Sequence, residues 1–198
     1  GRDAGFWANN LNYFMELEEQ DPLEIALAAP GKFGVRTLPY AVEIPENVKA
    51  YYVAGYKYDI AETENYELVL EEETGMFALA KPYLVYTSEE ATETPSVSSY
   101  GMMGPVIPQI ATSVYPVDEV YTDEHEFGLF GSVVSQTVPA SDSSYSRYGL
   151  QTQNGRQAFY KITSDQTMPA YRAYLQIESS SAPARLGFPG DETTGINE

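Results

Sequence analysis

The stretch Tyr148-Gly149-Leu150-Gln151-Thr152-Gln153-Asn154-Gly155-Arg156-Gln157-Ala158-Phe159-Tyr160-Lys161-Ile162-Thr163 decides the fold class. Asn and Gly both tolerate positive φ, so Asn154-Gly155 between two runs of strand-forming residues predicts a tight hairpin joining Tyr148–Thr152 to Gln157–Thr163. Working outward, further strands are expected at Ala173–Glu178 and Ala184–Phe188 on one side. On the other side they are expected at Phe127–Ser135, Tyr83–Thr87, Met76–Leu79, Tyr66–Leu70 and Gly34–Leu38. The run Lys49–Ile60 carries Tyr52, Ala54, Tyr56 and Tyr58 on one parity and Tyr51, Val53, Gly55 and Lys57 on the other, a long strand bent at Gly55. No helix-length apolar periodicity separates these segments, so crossover helices and a parallel sheet are not expected. The reading is an all-β, two-layer antiparallel β-sandwich of at least seven strands.

Composition bounds what such a domain does. Its 198 residues include 17 tyrosines, which suit a pleated, half-buried surface. That length buries a substantial core without staples, and the absence of Cys excludes disulfides and thiolate chemistry. With 29 acidic against 11 basic residues the formal charge is −18, which repels phosphate backbones and anionic lipid; nucleic acid is not an expected partner. No apolar run approaches the roughly 20 residues needed to cross a bilayer as a helix, so direct membrane insertion is not expected either.

The organisation reads as an N-terminal segment, residues 1–29, followed by the sandwich, residues 30–198, with possible halves 30–100 and 116–198. Phe6, Trp7, Leu11, Phe14 and Leu17 of the N-terminal segment are expected to dock on the β body. Ser88–Tyr100, rich in Ser, Thr and Glu, and Gly101–Tyr115, with Gly104-Pro105 and Ile107-Pro108, read as loops joining the halves. Lys81-Pro82-Tyr83-Leu84-Val85-Tyr86 resembles Arg172-Ala173-Tyr174-Leu175-Gln176-Ile177, a faint internal repeat that two unrelated strands of similar composition would also produce.

Candidate chemistry is sparse. His125 is the only histidine, so a Ser-His-Asp triad or His-rich zinc centre must use it or be absent; its setting, Asp123-Glu124-His125-Glu126, reads as a solvated loop. No nucleophile elbow, phosphate loop or dinucleotide motif occurs. Paired carboxylates hydrolyse glycosides, and two acidic clusters exist: Asp118, Glu119, Asp123, Glu124 and Glu126 around Tyr121, and Glu71, Glu72 and Glu73 before Gly75. Both read as polar turns. The first could also offer oxygens to calcium, although it lacks EF-hand spacing. Exposed tyrosines could stack on sugar rings, and Tyr145, Arg147 and Tyr148 beside the Ser141–Ser146 loop form the expected exposed group. Most Tyr rings in a β domain instead cover the core with their hydroxyls at the rim. No residue is assigned a catalytic, cofactor-binding or metal-ligating role, and no cofactor is expected.

Four motifs follow one another in an order seen elsewhere. Arg36-Thr37-Leu38-Pro39-Tyr40-Ala41-Val42-Glu43-Ile44-Pro45 and Thr137-Val138-Pro139-Ala140 precede Met168-Pro169-Ala170-Tyr171-Arg172-Ala173-Tyr174-Leu175 and Thr193-Thr194-Gly195-Ile196. Together with the Asn154-Gly155 hairpin they resemble a β-rich domain of secreted or surface-attached proteins of gut Bacteroidetes, a domain without assigned activity. The resemblance spans roughly Phe33 to Asn197 and is weakest over Ser88–His125 and around Leu79-Ala80-Lys81-Pro82. It implies a non-enzymatic extracellular module for structure or adhesion in a larger surface protein. Its partner would be a protein or glycan at the outer-membrane surface or in the periplasm. A lectin-like domain, and then a carboxylate-dependent glycoside hydrolase, are the alternatives. The start at Gly1-Arg2-Asp3 without Met fits a piece of a larger exported protein, with an export signal expected upstream.

Overall fold

A computed structural model describes residues 22–59, 65–99, 115–116, 128–178 and 183–189. The protein is all-β. A first half contains β2 (Phe33–Thr37), β3 (Val42–Glu43), β4 (Val48–Asp59), β5 (Asn65–Glu73), β6 (Met76–Phe77) and β7 (Pro82–Thr87). A second half contains β10 (Gly128–Ser132), β11 (Gln136–Val138), β12 (Ser146–Gln153), β13 (Arg156–Lys161), β14 (Gln166–Met168) and β15 (Arg172–Ile177). Four short strands flank them: β1 (Glu24–Ala26), β8 (Ser96–Ser98), β9 (Tyr115–Pro116) and β16 (Arg185–Leu186).

The two halves pair their strands in the same way. The first sheet has the order β2-β7-β4-β5 and the second β16-β13-β12-β15-β10-β9, while β3 pairs with β6 and β11 with β14. Every named pair is antiparallel, and the registers coincide. Leu84 lies between Val35 and Tyr51; Leu175 lies between Leu129 and Tyr148. The faint repeat in the sequence therefore falls on equivalent central strands, β7 and β15. Each of these strands is entered through a residue in the left-handed region, Ala80 at φ 57° and Tyr171 at φ 65°.

The inner faces of the two sheets meet in one core. Val35, Val53, Leu68 and Leu84 pack with Leu129, Tyr148, Phe159, Leu175, Leu186 and Phe188. Leu84 and Leu175 are both fully buried, and each contributes about 1.5–3 kcal/mol relative to exposure. The tightest approach is at Gly131, where a Cβ would stand 1.9 Å from Thr37 Oγ1 and 2.8 Å from Pro82 Cβ. At one margin the Leu68 amide donates to the Gly187 carbonyl at 2.8 Å, tying the first sheet to the β16 edge of the second.

The outer faces differ. Over the first sheet lie the β1–β8 and β3–β6 ribbons, whose Ile25, Val97, Val42 and Phe77 bury Ala50, Tyr83 and Val85. Arg36 fixes this cover by donating to the Ala26, Val35 and Leu27 carbonyls at 2.7, 2.7 and 3.0 Å. Among the described residues only β11–β14 lies over the second sheet, and the buried cluster shrinks to Val138, Ile162 and Met168 beside Tyr174.

The Asn154-Gly155 hairpin forms as its residues dictate, at φ 52° and 76°, and joins β12 to β13. Three local expectations are corrected. Ser88–Tyr100 is not loop throughout, because Ser96–Ser98 pairs with β1 and turns Val97 into the outer core; a Ser-rich composition hides this single inward residue. The expected Phe127–Ser135 strand stops at Ser132, whose Oγ accepts the Val134 amide at 3.1 Å and starts a turn into β11. In β4 the register shifts between Val53 and Gly55, leaving Ala54 as the extra residue of a bulge. Val53 and Ala54 are both buried as a result, and the alternation expected across Gly55 is broken. The expected docking of Phe6 to Leu17 and the Gly101–Val114 loop lie outside the described residues.

Candidate functional site

In both halves the strand flanking the central one outruns its pairing. β4 pairs with β7 only as far as Tyr51↔Leu84, and β12 with β15 only as far as Tyr148↔Leu175, while each continues in its hairpin with β5 or β13. The divergence leaves a gap on each outer face. In the first half side chains of the chain itself fill it. Lys81 Nζ stands 4.6 Å from the Tyr52 ring centroid and 5.5 Å from that of Tyr83, and pairs with Glu73 at 3.5 Å. The Tyr52 hydroxyl donates to Glu71, and this bond raises the phenol pKa.

The same register places Gly149 where the first half has Tyr52, Arg172 where it has Lys81, Tyr174 where it has Tyr83, and Ile162 where it has Glu73. With no ring at Gly149 the gap stays open as a groove of about 220 Å³. Val138, Ile162, Met168 and Tyr174, with Val35 and Leu150, line it with apolar surface, and Gln151, Gln166, Thr167 and Arg172 add polar groups. A Cβ on Gly149 would meet nothing closer than Gln151 Nε2 at 3.7 Å, so the space is open because a side chain is missing there. Tyr174 stacks on Phe130 at 5.7 Å, and burial raises its pKa. Burial lowers the pKa of Arg172; burial, then the like charge of Arg172, brings that of Arg36 to about 10. Among the described residues the Arg172 guanidinium has no hydrogen-bond or ion-pair partner. Its carbonyl accepts the Thr37 hydroxyl at 3.1 Å, which fixes the backbone beneath it.

The group expected to be exposed, Tyr145, Arg147 and Tyr148, is not. Tyr148 is fully buried with its hydroxyl donating to the Pro183 carbonyl, because β12 starts at Ser146 and turns this ring into the core between the sheets. Arg147, in the position of Ala50, is 9% exposed and donates to Gln176 Oε1, the Ala140 carbonyl and Asp142 Oδ2 at 3.0, 2.7 and 3.1 Å. Tyr145 is half-buried, its ring centroid 5.4 Å from Arg147 Cζ. Backbone amides of Ser144 and Tyr145, then Arg147, hold the Asp142 carboxyl below the usual range. This network pins the Ala140–Tyr145 loop much as Arg36 pins β1.

Glu71, Glu72 and Glu73 are not a turn; they end β5 opposite Tyr52, Tyr51 and Ala50, because the strand runs on to Thr74-Gly75. Asp118, Glu119, Tyr121, Asp123, Glu124, His125 and Glu126, and with them the calcium candidate, lie outside the described residues. Among the described residues no group of three or more His, Cys, Asp or Glu is placed to hold a metal ion, and no helix is long and apolar enough to cross a membrane. The groove was not anticipated, since Gly149 acquires its meaning only when strand pairing sets it against Tyr52. Comparison with protein-family models, curated proteins and solved structures finds no match.

Proposed function

We propose that this domain is a non-enzymatic extracellular module of a larger surface protein, serving adhesion or assembly through the outer face of its second half. The observation that carries this reading is the asymmetry of the outer faces among the described residues: one is covered by the chain's own ribbons and the other holds an open, apolar-walled groove whose cation has no partner there. A concave site with a few polar groups is the usual form of a recognition surface. The strong acidic charge keeps such a module soluble and apart from nucleic acid. The resemblance to surface-attached Bacteroidetes domains supplies the extracellular setting. The lectin-like alternative has less support, since the large apolar side chains exposed among the described residues are Leu23, Val69 and Leu79, none of them a ring that could stack on a sugar.

Protease shaving of intact native cells tests the setting: the domain should be cleaved from the surface while cytoplasmic markers survive. Protection until the cells are lysed contradicts it. Beads coated with the chain should adhere to the cell surface, and Gly149→Tyr, which closes the groove, should bring adhesion to background.

A further inference from the structure

The second half carries an empty copy of an arrangement that the first half has filled. Resting on the reading of that face as the presented surface, we propose that the groove at Gly149 is a socket for one aromatic ring, a tyrosyl side chain of a partner polypeptide, held against the Arg172 guanidinium. The chain itself displays the occupied form, in which the Tyr52 ring lies 4.6 Å from Lys81 Nζ at the pairing-equivalent place. At Gly149 the strand pairing is equivalent and a cation again stands alongside as Arg172, while the ring is missing and Ile162 takes the place of Glu73.

Size and chemistry select the guest. The groove, about 220 Å³, falls below the roughly 300–1,000 Å³ of sites for drug-sized ligands and suits a single side chain. Arg is the better of the two cations for lying flat on a ring, and a partly desolvated cation–π contact is stronger than an exposed one. An anion would pair with Arg172 as well, but the walls beside that cation are the apolar Val138, Ile162, Met168 and Tyr174, among which burying a carboxylate is costly, and the remaining polar side chains, Gln151, Gln166 and Thr167, offer it only neutral hydrogen bonds. An aliphatic side chain would fill the walls and leave the guanidinium uncovered. Gln151 at the rim supplies an amide for the phenol hydroxyl, in the role Glu71 has for Tyr52.

The test is a ligand-observed NMR titration of the full 198-residue chain with N-acetyl-tyrosinamide, N-acetyl-leucinamide and acetate. The tyrosyl probe should bind saturably, at least about fivefold more tightly than the leucyl one, and acetate should not compete. Gly149→Tyr should weaken binding at least about tenfold with amide shifts elsewhere unchanged. Arg172→Gln should weaken it severalfold, with partial recovery in Arg172→Lys. Tyr52→Gly should open a second site and move the stoichiometry from one toward two. Equal affinity for the leucyl probe, displacement by acetate, or undiminished binding in Gly149→Tyr overturns the socket. Should the wild type ignore the tyrosyl probe while bead adhesion is still lost in Gly149→Tyr, ring recognition is wrong and the presented face stands.

Discussion

Ala50 and Arg147 occupy the same place in two sheets that pair alike, and around them the halves part company. Beside Ala50 the outer face is sealed: Val85 and Tyr83 lie under Phe77, Val42 and Val97. Beside Arg147 the neighbour is Gln176, and the Arg147 guanidinium donates both to Gln176 Oε1 and to the Ala140–Tyr145 loop. The inner faces show no such divergence, with Leu84 matched by Leu175 and Val35 by Leu129. The contrast marks where two sheets with the same strand pairing can differ. Inner positions are held by the partner sheet and by the ladder, so substitution there costs core packing. Outer positions are held only by whatever covers them, and there, among the described residues, one half carries a lid while the other leaves a groove open.

The largest effect is expected where the halves press together. Gly131→Val would drive a branched side chain into Thr37 and Pro82, and overpacking of this kind should cost about 3 kcal/mol, read as a fall in urea midpoint at unchanged slope. A loss below about 1 kcal/mol would mean the sheets do not meet there.

Next come the two pinning arginines. Arg36→Met strips donors from three carbonyls in a closed face, whereas Arg147→Met leaves one buried acceptor, Gln176 Oε1, and otherwise releases a loop whose Asp142 side chain is 51% exposed. Water replaces a lost donor only where it has access, so we expect about 3 kcal/mol for the first and about 1 kcal/mol for the second. The reverse order in chemical denaturation would break the contrast between a sealed and an open outer face.

How far the sequence foretold this contrast depends on which residues carried it. Asn154-Gly155 announced its hairpin because a tight turn is written in local φ preferences. Lys81–Tyr86 and Arg172–Ile177 announced each other because equivalent central strands face the same two-sided burial. Arg147 and Tyr148 carry a misleading local signal: next to a polar Ser-rich loop they look exposed, and only the early start of β12 at Ser146 turns the ring inward. Gly149 gave no signal at all. A glycine within a strand reads as a weak point or a bulge, and its significance lies in a non-local comparison with Tyr52 that requires both registers.

A smaller effect tests the shared backbone itself. Ala80 and Tyr171 enter β7 and β15 with positive φ, a strain glycine does not feel. Ala80→Gly should therefore stabilise by about 0.5 kcal/mol. Tyr171→Gly should destabilise by about 1 kcal/mol, because its ring packs on the first half's outer core. Matching signs in thermal unfolding would show that the two turns are not the same device carrying different side chains.

The most direct measurement is a crystal structure of Gly149→Tyr. If the groove is the first half's arrangement with its ring removed, the introduced ring will lie in it with its centroid within about 6 Å of Arg172 Cζ and its hydroxyl toward Gln151, repeating the Tyr52–Lys81 contact. A ring turned out to solvent over an unchanged, still open groove would contradict the account.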